Sequence, residues 1–165
     1  IYFMEMNTRL QVEHGVSELV SGVDLVRKQL EIAAWRRLGL AQADVKLSGH
    51  AIEIRVNAED PSNKFRPSPG ALSAFEFPRE LGPGVIRVDT HMQAGDSVSP
   101  HYDSLIAKVL AHAPTRAQAI DTLLACLRAS KVAGVATTIP LHLKVLDSRE
   151  FRSGDYDTRT IPGWS

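Results

Sequence analysis

From Met4 to Glu13 the chain alternates without interruption. Met4, Met6, Thr8, Leu10 and Val12 take the even positions, and Glu5, Asn7, Arg9, Gln11 and Glu13 the odd ones. Successive side chains of an extended chain point to opposite faces. A strand therefore sorts this run into one mostly apolar face and one face of carboxylates, amides and a guanidinium. An amphipathic strand with a solvated polar face shows the same alternation. Composition speaks against that reading, because the polar side has none of the Thr, Lys or Ser that favour solvent faces. Glu5 and Asn7 offer hard oxygen donors on one side of a strand, which suits Mg²⁺. Arg9 adds a planar fork of donors for a carboxylate-like anion. A straight strand puts Glu5 and Glu13 roughly 26 Å apart at ~3.3 Å per residue. If both serve one small site, the chain bends after about Arg9. Residues 12–15 then form the returning loop, with Gly15 free to take unusual backbone angles.

Downstream, helical spacing of Val26, Leu30, Ala33 and Ala34 predicts a helix from about Asp24, its N-cap, to Leu38, with Gly39 as its stop. Its apolar stripe is expected to pack as core behind the active-site strand. Strands are expected at His50–Asn57, Ala71–Phe77, Val85–Val88, Ser97–Val98 and Leu105–Ala111, punctuated by Pro and Gly clusters. Thr115 and Gln118 form a capping-box signature ahead of an apolar face of Ile120, Leu123, Leu124 and Leu127. A short returning strand over Val132–Ala136 and a helix starting near Pro140 and reaching Leu146 follow. Asp147 to Ser165 reads as a polar tail along the surface. The expected fold class is α+β: a mainly antiparallel sheet or partly closed small barrel flanked by about three helices.

Composition bounds the function. Nineteen basic and nineteen acidic residues cancel, which leaves no electrostatic footprint for nucleic acid or anionic lipid. No apolar run approaches the ~20 residues of a membrane span. The single Cys126 excludes an intrachain disulfide, suits a reducing compartment and reads as inert packing. The six histidines show no metal-ligand spacing, and His91, His112 and His142 read as ordinary surface or half-buried residues.

The string Phe3-Met4-Glu5-Met6-Asn7-Thr8-Arg9-Leu10-Gln11-Val12-Glu13-His14 resembles the active-site segment of biotin carboxylases, the ATP-grasp enzymes of acetyl-CoA, propionyl-CoA and related carboxylases. Three further blocks agree in order and spacing: Gly49 to Pro61, Pro67-Ser68-Pro69-Gly70, and Tyr102-Asp103-Ser104-Leu105-Ile106-Ala107-Lys108. The resemblance implies that residues 1–48 end an ATP-grasp domain and that residues 49–165 form a biotin carboxylase C-terminal domain. It implies that Glu5 and Asn7 bind the metal (Mg²⁺ or Mn²⁺) on the ATP phosphates. Arg9, Gln11 and the backbone at Val12 would bind bicarbonate. Glu13 would be its base, and Arg55 would stabilise the enolate-like biotin. Arg55 read without the resemblance is a solvent-face partner of Glu53.

The resemblance also implies a biotin carboxyl carrier protein or domain and a carboxyltransferase as partners, and a homodimer. The expected location is cytoplasmic, or the mitochondrial matrix in a eukaryote. Arg87 resembles a family position near the subunit contact; by itself it reads as a lone surface arginine. Gly15 stands where many relatives have Pro, and Trp35-Arg36-Arg37 departs from the small-residue and proline pattern of relatives. The chain corresponds to the C-terminal third of such an enzyme and opens in mid-strand, so alone it is expected neither to hydrolyse ATP nor to carboxylate biotin. A carbamoyl-phosphate synthetase shares the Glu-Met-Asn-x-Arg core but not the Gln11-Val12-Glu13-His14 and Arg55 blocks. A non-catalytic assembly module is the other alternative.

Overall fold

A computed structural model of the chain describes residues 2–157. Its centre is β8 (Leu105–Ala113), flanked on one side by β1 (His50–Asn57) and on the other by β6 (Val85–Thr90), both antiparallel. A central strand pairs on both edges and can be covered on both faces, and β8 is buried along nearly its whole length. One face is apolar. Ile54, Val56, Ile86, Val109 and Ala111 pack there against Ile120, Leu123, Leu124 and Leu127 of α3 (Arg116–Ala129). That helix starts as the sequence predicts: the Thr115 hydroxyl accepts from the Gln118 N–H at 3.3 Å. Cys126 lies within this core, and burial pushes its thiol up to about 11, so it packs and does not react.

The remaining ladders among the described residues are short antiparallel pairs: β2 (Glu59–Asp60) with β3 (Arg66–Pro67), β4 (Gly70–Ala71) with β7 (Ser97–Val98), and β5 (Ala74–Glu76) with β9 (Lys131–Ala133). The expected strand Ala71–Phe77 is thus divided, because the chain changes partner in its middle. The Leu72 N–H donates to the Asp96 carbonyl, and the next N–H, of Ser73, donates to that of Ala133. After β9 come α4 (Ile139–Asp147), with Pro140 in its first turn, and α5 (Arg149–Ser153). The α+β class and the antiparallel sheet stand as expected, and α5 is an addition. Residues 158–165 of the expected tail lie outside the described residues.

The N-terminal expectations fare differently. Residues 2–11 form no strand, because no described backbone runs beside them to complete a ladder. Met4 is 90% and Met6 73% exposed, so the apolar side of the alternation is not buried here. The expected loop instead leads straight into α1 (His14–Ser21). The next helix, α2 (Leu25–Ala33), has the predicted N-cap, with the Asp24 carboxylate accepting from the Arg27 N–H at 2.8 Å. It stops short of Leu38 because Trp35 turns left-handed at φ 60°. Its stripe is not core: Leu30 is 67% exposed, and no α2 residue is buried. Among the described residues no helix is long and apolar enough to cross a membrane.

Candidate active site

The second face of the central sheet carries charge. The register sets Arg55 opposite Lys108 and Lys108 opposite Asp89, so one row across β1, β8 and β6 bears a guanidinium, an ammonium and a carboxylate. The neighbouring row sets Glu53, Leu110 and Arg87 side by side. Helix α1 lies over this face. At Gly15 the helix comes close to the sheet, since a Cβ there would stand 2.5 Å from the end of the Leu110 side chain. A glycine inside a helix weakens it, which is why the sequence reads there as a loop.

Burying charge requires partners. Glu18 of α1, with a side chain only 8% exposed, accepts from Arg87 at 2.6 Å and from the Leu25 N–H at 2.8 Å. Burial pushes its carboxyl up, but these donors outweigh it and hold it below its ordinary 4.5. Asp89 accepts from Arg87 at 2.7 Å and faces Lys108 Nζ at 3.5 Å. These cations outweigh its burial and hold it below 3.8. Arg87 is therefore not a lone surface arginine. Glu53 is the exception. Both its carboxylate oxygens are buried without a hydrogen bond to any described residue, with Lys108 Nζ at 3.8 Å, and burial raises it above its ordinary 4.5 despite that cation. Arg55 accordingly does not share a solvent face with Glu53.

A carboxyl held low in the folded state contributes stability that is present above its unfolded value and lost as pH falls through the folded one. Glu18→Gln is expected to lower unfolding stability by about 2 kcal/mol at pH 7. The difference should shrink as pH drops below 4.5. Urea titrations of both chains at pH 7 and pH 3 measure it, and a difference independent of pH would remove Glu18 from this account.

The charged face opens at one end into a cleft of about 810 Å³, lined among others by Val12, His14, Arg55, Asn57, His91, Tyr102, Asp103 and Lys108. At its mouth Arg55 Nη2 donates to Glu13 Oε2 at 2.9 Å, joining residues 42 apart in sequence. The main chain of Arg55 is braced from behind, where its carbonyl accepts from the Thr138 hydroxyl at 3.0 Å and lies 2.8 Å from His142 Nε2. Burial lowers His142, although the Arg55 carbonyl pulls the other way. Lys108 Nζ donates to the Val12 carbonyl at 2.8 Å.

The structure thus brings Val12, Glu13 and Arg55 together. Glu5, Asn7 and Arg9 lie exposed on the irregular N-terminal stretch, where, among the described residues, Arg9 donates only to the Leu10 carbonyl. Gln11 is half-buried beside His14, whose Nδ1 lies 2.8 Å from the Gln11 carbonyl. Glu5 and Asn7 have donor chemistry that suits Mg²⁺. Among the described residues no three His, Cys, Asp or Glu side chains converge on a metal site. Sequence reasoning missed Lys108, Thr138 and His142. Lys108 carried a signal: it is the one fully charged residue in the nine-residue strand Leu105–Ala113. Thr138 and His142 carried none, because their contact with Arg55 spans more than eighty residues.

The family described as Biotin carboxylase C-terminal domain matches residues 53–163. The chain belongs to that family. Residues 1–41 match a second family, Carbamoyl-phosphate synthase L chain, ATP binding domain. Biotin carboxylase 1 of Bacillus subtilis (strain 168) is 47% identical over 160 residues, which are 97% of this chain and 35% of that protein. Biotin carboxylase of Nostoc sp. (strain PCC 7120 / SAG 25.82 / UTEX 2576) is 48% identical, again over 97% of this chain and 35% of its own length. Among solved structures, the biotin carboxylase domain dimer of Hydrogenobacter thermophilus 2-oxoglutarate carboxylase, in complex with MgADP, ADP and bicarbonate, superposes with a TM-score of 0.90 at 44% identity. The match covers 96% of this chain and 34% of that one. The chain spans about a third of the length of the curated relatives it matches.

Proposed function

We propose that the protein containing this chain is an ATP-dependent biotin carboxylase and that this segment supplies its bicarbonate base and its biotin-facing arginine. The observation that carries the reading is the 2.9 Å pair of Glu13 and Arg55 at the mouth of the cleft. Both side chains are about half exposed, at 54% and 51%. An exposed ion pair contributes only about 0–1 kcal/mol, so stability is a poor reason for a base and a guanidinium to meet there.

Bicarbonate is a weak nucleophile until it loses its remaining proton, and a carboxylate within hydrogen-bond reach takes it. In this reading Glu13 is that base, with Arg9, Gln11 and the Val12 backbone holding the anion. The deprotonated oxygen attacks the terminal phosphorus of ATP and expels ADP. The resulting carboxyphosphate releases CO₂ and phosphate. That phosphate accepts the ureido proton of biotin, N1′ attacks CO₂, and the Arg55 guanidinium stabilises the developing oxyanion. Glu5 and Asn7 would hold Mg²⁺ through their hard oxygen donors, and the ion would supply charge neutralisation at the phosphates.

Several further assignments belong to the same proposal. They are the division near residue 48 between ATP-grasp end and C-terminal domain, a cytoplasmic location, a biotin carrier and a carboxyltransferase as partners, and a homodimer. The N-terminal match to a carbamoyl-phosphate synthase family leaves the acceptor open for residues 1–41 alone. The match over residues 53–163, which includes Arg55, favours biotin. The test is ADP release by the full-length protein with free biotin, with and without bicarbonate. Bicarbonate- and biotin-dependent release is expected; ADP release indifferent to both would sink the reading.

A further inference from the structure

The residue that ties the buried charge to the cleft is Lys108. Its side chain is 11% exposed, and its ammonium lies 3.8 Å from Glu53, 3.5 Å from Asp89 and 2.8 Å from the Val12 carbonyl, 96 residues away in sequence. Within β8 every neighbour along the chain is apolar from Leu105 to Ala111. A lysine loses solvation and side-chain freedom when buried. Stability alone does not account for it, since an apolar residue in place of a buried ion pair is often neutral or stabilising.

The direction of its hydrogen bond explains what the lysine does. Every described peptide is trans, so each carbonyl and the N–H that follows it point opposite ways. The Val12 carbonyl is drawn onto Lys108, which turns the Glu13 N–H away from the sheet. The Gln11 carbonyl is drawn onto α1, where it accepts from the His14 N–H at 3.2 Å and lies 2.8 Å from His14 Nδ1; this turns the Val12 N–H away from α1. Neither the Val12 nor the Glu13 N–H donates to any described residue. Successive free N–H groups make an anion-binding concavity.

We infer that Lys108 is a positioning residue for bicarbonate: its ammonium, balanced by Glu53 and Asp89, anchors the Val12 carbonyl and so presents the backbone of residues 12–13 to the anion. Lys108 touches neither the reacting carbon nor the phosphate in this account; it acts through the loop. The inference rests on the biotin carboxylase reading and predicts a selective defect. Loss of one charge-assisted hydrogen bond that orders a binding loop weakens binding by about tenfold or more.

The test uses the full-length enzyme as Lys108→Met and as the charge-balanced double variant Lys108→Met/Glu53→Gln, which covers the case where an unpaired Glu53 prevents the single variant from folding. Michaelis constants are measured for bicarbonate and for MgATP. The expected result, in whichever variant folds, is a KM for bicarbonate raised about tenfold or more, with that for MgATP within about twofold of wild type. A smaller change for bicarbonate, or an equal rise in both constants, overturns the inference. So does failure of both variants to fold, which would make Lys108 a structural residue. These outcomes leave wild-type turnover intact and so differ from failure of the reading itself, in which the wild type shows no bicarbonate dependence.

Discussion

Replacing Glu13 by Gln in the full-length protein is expected to lower bicarbonate-dependent ADP release by about 10²- to 10⁴-fold, the usual contribution of a positioned general base. Replacing Arg55 by Ala is expected to lower biotin carboxylation by about 10²- to 10³-fold, as loss of one oxyanion-stabilising donor does. The two defects should divide by step. Glu13→Gln stops the chemistry before ATP is cleaved, whereas Arg55→Ala leaves bicarbonate activation in place and blocks transfer to biotin. Neither loss should come from unfolding. The pair is half exposed, so breaking it costs at most about 1 kcal/mol. Melting temperatures close to wild type should accompany the lost turnover. Unchanged turnover in either variant would remove that residue from the mechanism.

The largest stability effect is expected at Gly134. This residue follows β9 with φ at 102°, and a Cβ there would stand 2.0 Å from the Ala71 carbonyl oxygen and 2.9 Å from the Ser73 nitrogen. Both obstructing atoms are backbone, so no side-chain rotation relieves the clash. The chain would have to pull β9 from β5, breaking the 2.8 Å bond from the Ser73 N–H to the Ala133 carbonyl. Gly134→Ala is expected to cost about 3 kcal/mol or more, roughly 6–12 °C in Tm for a chain of this size. Gly95→Ala separates the causes. Gly95 has a similar φ of 94° but no atom of a described residue within 4 Å of its Cβ position, so only the backbone term, about 1 kcal/mol, remains. Equal losses in the two variants, measured by thermal unfolding, would show that the contact with Ala71 is unimportant. The damage at Gly134 should also reach the site, because the segment after it leads to Thr138 and His142, which brace the Arg55 carbonyl.

Local signals carried most of the domain built around β8. The strand His50–Asn57 and the caps at Asp24 and Thr115 were legible because periodicity, capping and proline placement act within a few residues. The same reasoning overreached on the alternating N-terminal run and on the stripe of α2. Alternation and helical spacing say which side chains share a face, but a strand also needs a neighbouring backbone and a stripe needs a surface to cover it, and no described part of this chain provides either. Residue types at Glu5, Asn7, Arg9, Gln11, Val12, Glu13 and Arg55 pointed to a chemistry, and their individual roles belong to the proposal.

What the sequence determined by itself was the chemical type of the candidate groups and the strand that carries Arg55. Only the tertiary structure decided which of them meet. Glu13 beside Arg55, Lys108 beneath Val12, and Glu18 over Arg87 each join residues between 42 and 96 positions apart. Such contacts arise when α1 and three strands stack into one layered face, and pairings of that kind leave no periodic trace along the chain because they depend on strand register and helix docking.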